Sequence, residues 1–140
     1  KVKINNLNYV THTSKKKIKK NTDIYLVDAY GLTSSFFNLS NITLVGGSVI
    51  KHGGQNPLEP ARQGNYVISG PNISNFEEIY RFLMKNNIST VTSDFSKLEK
   101  TINSNLNKKI SKYKKNKINN IGIDIINKNL SHIRKYLPWI

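Results

Sequence analysis

Short β-rich runs and longer helical segments take turns along this chain, and the links between them are short. Asn8 to His12 (NYVTH) is a brief β-like run. Asp23 to Val27 (DIYLV), Asn41 to Val45 (NITLV), Tyr66 to Ser69 (YVIS) and Ile88 to Thr92 (ISTVT) read as strands, being apolar and rich in β-branched and aromatic residues. Between them, Thr33 to Leu39 reads as a short helix with Phe36 and Phe37 facing inward. Asn56 to Arg62 begins another. Ser74 to Lys85, capped by Ser74 or Asn75, carries Phe76, Ile79, Tyr80, Leu83 and Met84 at helical spacing. A further helix runs from a cap at Asp94 or Ser96 to about Leu106, and Ile121 to Leu137 forms a last amphipathic helix stopped at Pro138. This alternation predicts an α/β fold: a Rossmann-like parallel sheet with helices on both faces.

A chain of 140 residues can form one domain with a real core, so residues 1–140 are expected to be a single domain. There is no cysteine, which removes thiolate metal sites. No apolar run approaches the about 18 residues of a membrane span. Lys1-Val2-Lys3-Ile4-Asn5 lacks the apolar region of a signal peptide, which predicts a cytoplasmic setting. Lys+Arg is 22 against Asp+Glu 8, a net charge of +14. That favours a polyanionic partner, either nucleic acid or an anionic membrane surface. Lys15–Lys20 and Lys108–Lys117 are the basic clusters. Few aromatic residues interleave with their lysines, as stacking on bases would require, so no nucleic acid is expected. Lys, Asn and Ile also dominate the whole chain, as an AT-rich coding sequence would dictate, so the charge alone decides nothing.

The stretch Val45 to Gly64, VGGSVIKHGGQNPLEPARQG, carries the chemistry. Ligands of open parallel sheets bind beyond the carboxyl ends of the strands, and this stretch follows the Asn41–Val45 strand. Glycine permits close backbone approach and positive φ. Gly53 and Gly54 lead into a helix start at which Asn56 is a good N-cap, Pro57 suits the first helical position and Glu59 sits three residues on. A phosphate on the N–H groups of Leu58 and Glu59 is expected there, with the Glu59 carboxylate accepting from sugar hydroxyls. As a plainer alternative, Glu59 completes a capping box, Gly46 and Gly47 form a tight strand exit, and His52 is exposed to solvent. No Asp-x-Asp pair and no His-acid cluster at ligand spacing is present, so no metal and no cofactor is expected. Dinucleotide and P-loop glycine patterns are also absent.

VGGS at Val45–Ser48, HGGQNPLEP at His52–Pro60 and GPNISNF at Gly70–Phe76 together resemble the C-terminal half of the 3-deoxy-D-manno-octulosonic acid (Kdo) transferases, inverting glycosyltransferases of the GT-B fold. DIYLVDAYG at Asp23–Gly31 is similar to the strand and turn before that family's Gly-Glu-Leu motif. By order and spacing the resemblance runs from about residue 8 to about residue 137. It implies that the donor is CMP-Kdo, held by Asn56, Pro57, Leu58 and Glu59 and by a second turn at Tyr30, Gly31 and Leu32. Gly46, Gly47, Ser48, Gly53 and Gly54 would be the supporting loops. It also implies transfer of Kdo to a lipid A precursor in lipopolysaccharide core biosynthesis, without a metal, at the cytoplasmic face of the bacterial inner membrane.

Two positions depart from the family pattern: Gln55 stands where the family usually has His, and Leu32 where it usually has Glu. A backbone contact at Leu32 would survive this change; a side-chain contact would not. The family's general base is a Glu of an N-terminal acceptor domain, so no catalytic residue is expected here and the chain is expected to be a C-terminal piece. The alternatives are a UDP-sugar-dependent GT-B glycosyltransferase domain, whose architecture shares a glycine-rich loop and a ribose-binding Glu, and a basic nucleic-acid-binding module.

Overall fold

The computed structural model describes residues 7–108 and 110–137. They fall into two compact units that divide between Ser35 and Phe36. In the first, β1 (Tyr9–Thr11) and β2 (Ile24–Leu26) pair in parallel, with Tyr9 opposite Ile24 and Thr11 opposite Leu26. Asn8 starts this pairing. Its carbonyl accepts from the N–H of Asp23 at 2.8 Å, and its own N–H donates to the Asp23 carboxylate at 2.8 Å.

The second unit holds a parallel three-stranded sheet, β3 (Ile42–Val45), β4 (Tyr66–Ser69) and β5 (Ser89–Val91), with β4 in the middle. Ile42 stands opposite Tyr66 and Val67 opposite Ser89. Successive side chains of a strand point to opposite faces. All four residues of β4 are buried, so both faces of the sheet are covered, as the apolar strand pattern predicts. The cover comes from α2 (Leu58–Gln63), α3 (Glu77–Lys85) and α5 (Lys112–Arg134). Val45, Val67, Tyr80, Leu83, Ile88 and Ile118 lie at the centre of the core. α1 (Thr33–Leu39) precedes β3, with Phe36 and Phe37 half-buried, and α4 (Leu98–Asn105) follows β5.

Several boundaries differ from the sequence reading. Residues 74–76 make a 3-10 turn, and α3 begins only at Glu77; neither Ser74 nor Asn75 caps it through its side chain. Glu77 and Glu78 sit in its first turn, where the helix dipole favours negative charge. Met84 is on the exposed side, whereas Tyr80 and Leu83 are buried. Asp94 does open the next segment: its carboxylate accepts from the N–H of Ser96 at 2.9 Å.

The largest difference is α5. It starts at Lys112 rather than Ile121, because the Ser111 hydroxyl accepts from the N–H of Lys114 and caps the helix there. Pro138, the expected stop, lies outside the described residues, as does Lys109. From Lys112 on, the basic run is therefore the first turns of a helix, and part of it faces the protein. Lys114 Nζ donates to the Asn87 carbonyl at 3.2 Å, just past α3, and Lys115 Nζ donates to the Gln63 carbonyl at 3.0 Å, at the last residue of α2. A cation on the final carbonyls of a helix complements its dipole. Lys108 Nζ lies 4.5 Å from the centre of the Tyr66 ring. Lys114 and Lys115 tie helix ends together instead of forming a uniformly solvated face.

Candidate functional site

The loops after β3 and β4 close on each other at the carboxyl ends of the sheet. After Val45 the chain makes a 3-10 turn, Gly46–Ser48, in which the N–H of Val49 donates to the Gly46 carbonyl at 3.1 Å. Ser48 is fully buried. Its hydroxyl donates to the Val45 carbonyl and accepts from the N–H of Gly70 at 2.8 Å. Its carbonyl accepts from the backbone N–H of Asn72 at 3.0 Å and from the Asn72 side chain at 3.1 Å. One serine thus binds the exit of β3 to the exit of β4. The fit requires glycine at residue 70, because a Cβ there would lie 2.5 Å from the Ser48 carbonyl oxygen.

The second glycine pair serves the same closure. Gly54 has φ +85°, a left-handed conformation that glycine adopts without strain, and a Cβ there would lie 3.0 Å from the Asn72 carbonyl oxygen. The N–H of Asn75 donates to the Gly53 carbonyl at 3.1 Å. Gly46 and Gly47 do not have positive φ, and the Cβ position of Gly47 lies 3.0 Å from the Gln55 side chain. Among the expected site residues, Gly46–Ser48, Gly53, Gly54 and Asn56–Glu59 therefore share one group of loops. The backbone freedom of Gly53 and Gly54 goes first into packing loop on loop.

At the helix start, Asn56 Oδ1 accepts from the N–H of Leu58 at 3.0 Å. Pro57, with φ −84° and ψ −11°, is already helical, as the residue after the cap should be. This corrects one expectation: the N–H of Leu58 is spent on Asn56 rather than directed to a phosphate. Pro57 and Pro60 carry no N–H at all, and α2 is only 6 residues long, so the start of α2 is poor in donors. The Leu58 side chain packs against the core, while Glu59 is exposed. His52 is exposed in its loop, as in the plainer reading.

Tyr30, Gly31 and Leu32 belong to the first unit. The Tyr30 ring is fully exposed, and Gly31 has φ +81° with open space around its Cβ position. The carbonyl of Leu32 accepts from the N–H of Ser35 at 3.0 Å. Among the described residues no three His, Asp or Glu side chains are placed to hold a metal.

Sequence reasoning missed Asn65. It is fully buried between α2 and β4, its side-chain oxygen accepts from the hydroxyls of Ser40 and Thr43, the latter at 2.8 Å, and its side-chain N–H donates to the Phe37 carbonyl at 2.7 Å. An Asn directly after Gly64 at the mouth of a strand looks like part of a turn, and nothing local reveals three partners more than twenty residues away.

No protein-family model matches the chain. It is 31% identical over 133 residues to the 3-deoxy-D-manno-octulosonic acid transferase of Haemophilus influenzae, covering 94% of this chain and 30% of that protein. It is 33% identical over 125 residues to the protein of the same name from Rickettsia prowazekii, covering 84% of this chain and 27% of that protein. Among solved structures it is similar to the C-terminal CMP-Kdo binding domain of WaaA from Acinetobacter baumannii, with a TM-score of 0.67 and 27% identity over 72% of this chain and 53% of that one. The chain is similar to the C-terminal part of Kdo transferases. It spans less than a third of the length of these curated relatives. The α/β fold with parallel strands matches the C-terminal domain of a GT-B glycosyltransferase, and among the described residues no helix is long and apolar enough to cross a membrane.

Proposed function

We propose that this chain is the donor-binding part of a Kdo transferase: it holds CMP-Kdo while the complete enzyme transfers Kdo to a lipid A precursor in lipopolysaccharide core biosynthesis. The observation that carries this reading is the likeness to the C-terminal CMP-Kdo binding domain of WaaA, at 27% identity and a TM-score of 0.67. Glu59 accepts hydrogen bonds from the ribose hydroxyls of CMP. Asn56 and Pro57 set the start of α2 so that Glu59 is presented at the sheet's carboxyl end, and Leu58 anchors that start on the core. Residues 46–48 and 53–54 hold the loop shape. The base that deprotonates the acceptor hydroxyl belongs to an N-terminal domain, so this chain supplies binding and no catalytic residue. The acceptor and an anionic membrane surface on the cytoplasmic side are the remaining partners in this reading.

Glu59→Gln tests the central contact. The substitution keeps the side-chain length and helix start but removes the charge from hydrogen bonds worth about 1.5–3 kcal/mol each. CMP affinity, measured by calorimetric titration, is expected to fall by about tenfold or more with little change in melting temperature. A loss of stability with unchanged affinity would make Glu59 a capping residue only.

A further inference from the structure

We propose that a second pocket, lying wholly within the first unit, binds a phosphate monoester carried on an apolar body. It has a volume of about 540 Å³ and is lined by Lys16, Lys17 and Lys19, with Tyr9 and Val10 of β1 as an apolar wall and Thr22 at its edge. That volume is in the usual range for small-molecule sites, roughly 300–1,000 Å³.

The loop that carries the lysines is held at both ends. Lys15 adopts a left-handed conformation, and its N–H donates to the His12 carbonyl at 3.2 Å. The N–H of Lys19 donates to the Thr22 hydroxyl at 2.9 Å, and the N–H of Thr22 donates back to the Lys19 carbonyl at 3.0 Å. All of these bonds use the backbone of the lysines and leave their side chains for a ligand.

Among the described residues no ion pair joins Lys16, Lys17 or Lys19 to a carboxylate, and Asp23, next to the lining residue Thr22, offsets only part of their charge. Among the described residues of this unit the carboxylates are Asp23 and Asp28. Asp23 accepts from the N–H of Asn8, and Asp28 accepts from the hydroxyl and N–H of Thr13. The hydroxyl bond from Thr13, and after it the N–H bond, holds the Asp28 carboxyl below its usual range. The ion pairs found among the described residues, Arg81 with Glu77 and Lys97 with Asp94, lie outside this unit. Three lysines without a carboxylate partner around one pocket favour an anion of about −1.5 to −2, the charge of a phosphate monoester at pH 7. The Tyr9 and Val10 wall favours an apolar group beside it. The pocket shares no residue with the donor site, and the inference does not depend on the donor reading.

A soluble phosphate ester and a lipid headgroup offer the same chemistry, and the test separates them. The 140-residue chain is labelled with 15N and followed by NMR at physiological salt while inorganic phosphate, soluble short-chain phosphatidic acid, or phosphatidylcholine vesicles with and without phosphatidic acid are added. The expected result is saturable shifts at Tyr9, Val10, Lys16, Lys17, Lys19 and Thr22, with short-chain phosphatidic acid binding more tightly than inorganic phosphate. Binding of the soluble ester alone assigns a soluble ligand; binding that extends to the anionic vesicles assigns a headgroup. The triple variant Lys16→Gln, Lys17→Gln, Lys19→Gln should bind at least tenfold more weakly and keep the parent's melting temperature. The proposal is overturned if neither phosphate source gives saturable shifts, if shifts spread equally to Lys108–Lys117, or if the triple variant titrates like the parent.

Discussion

Gly70→Ala is expected to destabilise the sheet-bearing unit by about 3 kcal/mol. The added Cβ meets the Ser48–Val49 backbone: 2.5 Å from the Ser48 carbonyl oxygen, 2.9 Å from the Ser48 carbonyl carbon and 3.0 Å from the Val49 Cα. None of these atoms can move away by changing a rotamer. Overpacking of this kind costs about 1–3 kcal/mol, and the loops can separate only by breaking the buried bond from the Gly70 N–H to the Ser48 hydroxyl, which costs about 1–3 kcal/mol more. For a domain of this size the sum corresponds to a fall of about 10 °C in melting temperature, readable by circular dichroism. A variant that melts within about 2 °C of the parent would mean that the β3 and β4 exit loops are not held together as described.

Asn65→Ala should cost a similar amount by another route. Removing the amide leaves the Thr43 hydroxyl without its acceptor and the Phe37 carbonyl without its donor, around a side chain that is fully buried, while the exposed Ser40 hydroxyl keeps the Ile42 carbonyl as an acceptor. Each buried group left unpaired costs about 1–3 kcal/mol, so a total near 3 kcal/mol is expected from chemical denaturation. Asn65→Asp should not rescue stability, since it keeps the acceptor but turns a carboxylate toward the Phe37 carbonyl. A cost below about 1 kcal/mol for Asn65→Ala would show that these groups find other partners.

Both residues mark where reading the sequence stops working. The strands were legible because DIYLV, NITLV, YVIS and ISTVT carry their own β pattern, and the buried central strand YVIS has no polar face to hide. The glycine-rich stretch was legible as a special loop at the carboxyl end of β3. Its internal use was not, because Ser48 meets Gly70 and Asn72 only through the fold, and Gly54 meets Asn72 the same way. The cap at Asn56 was readable from NPLE, yet the same pattern suggested a phosphate on Leu58, whose N–H that cap already uses. The start of α5 was missed for a related reason: lysines between Ser111 and Lys117 look solvated until the carbonyls of Gln63 and Asn87 are placed beside them.

The most direct test of the donor assignment is a calorimetric titration of this chain with CMP and, separately, with UDP under identical salt and pH. A CMP-Kdo donor domain is expected to bind CMP saturably, with UDP at least tenfold weaker. Equal or tighter binding of UDP, or no binding of CMP, would contradict the assignment.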